Sequence, residues 1–118
     1  MALRSFLGAL LCAAQLGLAP GAMAETRVYQ GDEAKALQCA AYFSYSAWVL
    51  AGRGLFTPRN ADEGAIAATN ILGRHVSGTY EQKRAAFQVA LNRLPPDNND
   101  LIADSIRYLG WCREKFLS

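Results

Sequence analysis

The chain has 118 residues, with 12 Lys and Arg set against 10 Asp and Glu. That balance argues against a nucleic-acid binder, where a clustered basic face would be expected, and gives no strong pull toward an anionic membrane surface. One histidine and three cysteines are too few ligands for a transition-metal cluster, so neither metal nor cofactor is expected.

The first 24 residues read as a leader rather than as part of a fold. Arg4 supplies a short positive start, and Phe6 to Leu18 form an apolar core of signal-peptide length. Pro20-Gly21 breaks it, and Ala22-Met23-Ala24 is a small-residue cleavage site. The apolar run is short of the ~20 residues a membrane span requires. The expectation is a signal peptide over 1–24, removed after Ala24, and a single helical domain over 25–118 with no membrane span. Cys12 leaves with the leader, so Cys39 and Cys112 remain. Two cysteines in an exported chain most simply form one disulfide. They lack the C-x-x-C spacing of a redox pair, which makes the bond structural.

Asp32 and Glu33 place negative charge at the start of the first helix, with Asp32 as its cap. The run from Lys35 to Ala51 is apolar on nearly every side at about 100° per residue. Leu37, Ala41, Ser44, Trp48 and Ala51 share one face, while Cys39, Phe43, Ala47 and Leu50 share another. Only Lys35, Gln38 and Arg53, with the edges of Tyr42 and Val49, leave a thin polar strip. A helix of that kind is wrapped by its neighbours.

Gly52 and Gly54 stop it, and Thr57-Pro58 or the Asn60–Glu63 pair restarts the chain as a second helix that lasts until Gly78. There Ala65, Ala68, Leu72 and Val76 share a face, and Gly64 and Gly73 weaken the helix while permitting close packing. Thr79 with Gln82 forms a capping box for the third helix, whose stripe is Tyr80, Phe87, Leu91 and Leu94. Pro95-Pro96 ends it. Asp97 to Asp100 turn and cap the last helix, which buries Leu101, Ile102, Ser105, Leu109, Cys112 and Phe116. The pattern predicts an all-α, small four-helix bundle in which Cys39 and Cys112 tie the first helix to the last.

Chemistry is harder to find. His75 stands near a helix end without a spacing that marks a nucleophile or an acid partner. The run from Asp97 to Asp100 lacks the ligand order and glycine of a calcium loop. Trp111 is the off-pattern residue, about 140° from the centre of its helix's apolar stripe, on the side of Asp104, Arg107 and Tyr108. An aromatic beside Arg is the chemistry of an interface anchor. The competing placement packs Trp111 under Val28 and Tyr29 or on Arg107. The sequence therefore points to an exported, non-enzymatic helical protein that binds another protein in the periplasm, as an inhibitor, immunity or chaperone-like accessory. A small periplasmic hydrolase using His75 and a structural envelope protein are the alternatives.

Overall fold

The computed structural model describes residues 27–118; the leader expected over residues 1–24 lies outside them. The described residues form four helices and no strand: α1 (Gly31–Gly52), α2 (Pro58–His75), α3 (Tyr80–Asn92) and α4 (Asn98–Phe116). Helix α1 is the axis of the molecule. Each of the other three packs on it, while α2, α3 and α4 touch one another only marginally.

Local chemistry sets the helix ends. Thr57 and Asn60 exchange hydrogen bonds as a complete capping box for α2, with Pro58 in its first turn. Thr79 and Gln82 do the same for α3. Asp97 accepts the amides of Asn99 and Asp100 to open α4. Gly54, at φ 74°, takes the left-handed conformation that turns the chain away from α1.

The pairs across each interface fix direction. On α2, Gly64 meets Phe43 and Ala47 near one end, and Ser77 just beyond the other end reaches Glu33, so α2 runs antiparallel to α1. On α4, Arg53 donates to Asn99 at 2.9 Å, Tyr42 stacks with Tyr108, Cys39 joins Cys112, and Lys115 faces Asp32 at 3.5 Å. That ladder is also antiparallel. Helix α3 starts beside Tyr29 and leads to Leu94, which joins Tyr42 and Val49 in one apolar cluster, so α3 runs parallel to α1.

The core follows from these directions. Ala36, Ala40 and Phe43 pack with Ala68 and Ile71 around the disulfide and Phe116. Small residues let α1 and α2 approach closely, and Gly64 marks the closest point: a Cβ there would lie 2.5 Å from that of Ala47 and 2.6 Å from the Phe43 carbonyl oxygen. The α1–α4 seam holds two buried hydroxyls. Ser105 donates to the Leu101 carbonyl at 2.7 Å, which leaves its oxygen to accept from Ser46, so neither is orphaned.

Several expectations are corrected. Asp32 is not the cap of α1: Gln30 holds that position without a side-chain bond, and Asp32 and Glu33 sit in the first turn, where the helix dipole favours their charge. Trp48 and Tyr80, read as inward, are 66% and 73% exposed, because no helix covers those sectors. Tyr42 and Val49, read as edges of the polar strip, are buried against Leu94 and Leu101. Ala65 is exposed, and the inner face of α2 is Gly64, Ala68 and Ile71 instead. Helix α2 ends at His75 rather than at Gly78, and an extended Val76 carries the chain toward Glu33. Glu63 pairs with Arg59 at 3.6 Å and takes no part in the cap.

Two glycines of the same helix should respond oppositely to alanine. Gly64→Ala forces α1 and α2 apart and should cost about 1–3 kcal/mol despite the better helix propensity of Ala. A Cβ added at Gly73 would meet nothing within 4 Å, so Gly73→Ala should stabilise by roughly 0.5–1 kcal/mol. Urea denaturation of both variants checks the signs. The disulfide spans 73 residues and links core positions with Cα atoms 5.6 Å apart. Replacing both cysteines by serine should lower stability by about 4 kcal/mol, seen as a large drop in the denaturant midpoint.

Candidate functional site

Asp104, Arg107, Tyr108 and Trp111 do not form one outward patch: Arg107 is exposed, whereas Asp104, Tyr108 and Trp111 each meet a residue of α1. The Tyr42 hydroxyl donates to the Asp104 carboxylate at 3.5 Å, and Tyr108 stacks on Tyr42 at 5.8 Å between centroids. Burial, followed by the charge of Asp104, pushes the Tyr42 phenol above its ordinary pKa, so it remains a donor across the neutral range. Trp111 is 44% exposed. Its ring stands edge-on to the core residue Phe116 at 5.9 Å, and the Lys35 ammonium sits 5.9 Å from its centre. Its neighbours are therefore Lys35 and Phe116, in place of the N-terminal arm or Arg107. Arg107 itself is exposed.

A second aromatic pair lies on α1. Tyr45 and Trp48 stack at 5.6 Å, and Leu55 and Phe56, just past the helix, are exposed as well. The reason is length. Helix α3 sets out level with Tyr29 and has 13 residues against 22 in α1, about 20 Å against about 33 Å, so it is spent before the C-terminal half of α1. The exposed positions Lys35, Gln38, Tyr45 and Trp48 fall on one side of the helix. The polar half of that side is visible as sequence pattern; its aromatic half resembles core, because aromatic residues usually are.

Between α1 and α3 lies a groove of about 900 Å³, open along one side. Leu37 and Tyr42 line it from α1, and Ala86, Val89 and Ala90 from α3. Arg27, Lys35 and Arg93 stand on its border with a single acid, Glu81. Its existence follows from the packing of α3, none of whose residues is fully buried.

Two of the groove's lining residues, Arg27 and Tyr29, also belong to a polar knot at Ser77. Glu33 accepts from the Ser77 amide and hydroxyl, each at 2.6 Å; Arg27 donates to the same hydroxyl at 2.7 Å; and Tyr29 donates to the Ser77 carbonyl at 2.7 Å. The knot fastens the N-terminal arm and the start of α1 to the α2–α3 connection. His75 lies elsewhere. Its Nε2 donates to the Phe116 carbonyl at 2.8 Å and its ring packs edge-on against Phe116, joining the ends of α2 and α4. Among the described residues, no group of three or more His, Cys, Asp or Glu side chains is placed to hold a metal ion.

The knot carries a pH signature. The two bonds from Ser77, helped by Arg27, hold the Glu33 carboxyl below its ordinary value of 4.5. A depressed folded pKa gives stability that is present above that ordinary value and lost as pH falls through the folded one. Glu33→Gln should therefore be less stable than the parent near neutral pH, with the gap narrowing below pH 4.5, as thermal melts across that range will show.

No protein-family model, curated protein or solved structure matches this chain.

Proposed function

We propose that this is an exported, non-enzymatic protein that acts by binding another protein in the periplasm, in the manner of an inhibitor, immunity or chaperone-like accessory. The observation that carries the reading is the stacked Tyr45–Trp48 pair on an uncovered sector of α1, flanked by Leu55 and Phe56. Clustered exposed aromatics on a small domain with a satisfied interior are the usual chemistry of a contact surface. Trp111 and Tyr108 provide a second, half-anchored aromatic edge. Export is supported by the leader-like N-terminal sequence and by the disulfide, a bond that persists in oxidising compartments. No helix among the described residues is long and apolar enough to cross a membrane. The hydrolase alternative gains little from His75, which is hydrogen-bonded to a main-chain carbonyl and lies outside the groove.

The two tryptophans should separate binding from folding. Trp48→Ala should change stability by less than about 0.5 kcal/mol, as surface substitutions do, while weakening the complex with the physiological partner by about 2 kcal/mol or more. Trp111→Ala removes the edge contact to Phe116 and the Lys35 cation, and should cost about 1–2 kcal/mol of stability. Denaturation curves and titration against the captured partner measure both. A Trp48→Ala protein that binds as well as the parent would remove the basis of the proposal.

A further inference from the structure

We infer that the groove between α1 and α3 receives an amphipathic helix of a partner protein, one whose apolar face is flanked by carboxylates. The inference rests on the protein-binding reading and names the partner's chemistry. The walls are two helices running in the same direction, and the floor between them is small and apolar: Leu37 from α1, Ala86 and Ala90 from α3. Val89, on the same helix, is 47% exposed and stands at the open side. A helix laid along such a trough buries residues at every third or fourth position while its polar face covers the opening. A single acyl chain is also apolar, but it carries charge at one end only, whereas cations border the groove from both walls, Lys35 on α1 and Arg93 just past α3.

Charge selects the flanks. Lys35 and Arg93 border the groove against one acid, Glu81, while Arg27, also on its border, is already tied to Ser77 beside the Glu33 carboxylate. The Arg93 side chain has no hydrogen-bond or ion-pair partner among the described residues, and Lys35 meets only the Trp111 ring. Cations left unpaired around an apolar trough favour a partner carrying acids at its rim and disfavour one carrying bases.

The test uses the disulfide-bonded protein and two synthetic helical peptides with the same Leu/Phe face, one flanked by Glu and the other by Lys. Fluorescence anisotropy should show the Glu-flanked peptide binding at least about tenfold more tightly, with the advantage shrinking at high salt. The double variant Lys35→Glu/Arg93→Glu should reverse the preference, and Val89→Asp should weaken both peptides. Ile66→Ala, at an exposed position of α2 outside the groove, should leave peptide affinity unchanged. Equal affinity for the two peptides, or no saturable binding of either, overturns the inference. So does dodecanoate that binds with its own saturation and displaces the peptide at lower concentration, which would mark the trough as a site for an anionic lipid. If the peptides fail while Trp48→Ala still weakens the native complex, the groove is wrong and the protein-binding reading stands. If Trp48→Ala leaves that complex intact, the aromatic surface is wrong whatever the peptides do.

Discussion

Helix α1 cannot be stable alone in water, because apolar side chains leave it on almost every side, and that constraint organises the molecule. Three further helices cover it, each on its own sector, and they have little to do with one another. The contact chemistry differs by sector. Toward α2 it is small and close, with Gly64 against Phe43 and Ala47. Toward α4 it mixes a disulfide with stacked tyrosines and paired serines. Toward α3 it is loose, and the looseness leaves a groove.

The α4 sector has the most varied means of holding register. Reading up α1 from Asp32 through Cys39, Tyr42 and Ser46 to Arg53, each residue has a partner progressively earlier on α4, from Lys115 back to Asn99. A helix that slipped by one turn would break the buried Ser46–Ser105 pair and leave the Ser46 hydroxyl without its partner, while Ser105 kept its bond to the Leu101 carbonyl. The covalent bond constrains the unfolded chain, and the buried polar pair specifies which folded alignment is adopted. At the far side, the Ser77 knot performs a comparable task with exposed groups, joining the arm, α1 and the α2–α3 connection through one residue.

Binding surfaces arise where the wrapping is incomplete. A 13-residue helix cannot cover a 22-residue one, so the far half of the α3 sector shows its aromatic side chains to solvent and the near half forms an open trough. The two features lie on the same flank of α1, one aromatic and nearly uncharged, the other apolar with a cationic border. Trp111 stands apart from both. Lys35 touches its ring and also borders the trough, linking the α4 edge with the groove.

The sequence by itself determined the helical class, the number of helices, the capping box at Thr79–Gln82, the turn at Asp97, and the pairing of Cys39 with Cys112. These depend on local hydrogen bonding, on helical period and on cysteine count, all of which are written in adjacent or regularly spaced residues. It also marked α1 as wrapped and α4's stripe as its inner face. It misplaced Trp48 and Tyr80 as core and Tyr42 and Val49 as edge. Periodicity gives the direction in which a side chain points, but not whether another helix is long enough to meet it there. The Glu33–Ser77 knot was out of reach for the same reason, since its members are 44 positions apart and carry no spacing signal. The tertiary structure alone decided the groove, the exposed Tyr45–Trp48 pair and the half-anchored state of Trp111, because each depends on where three separate helices end along a fourth.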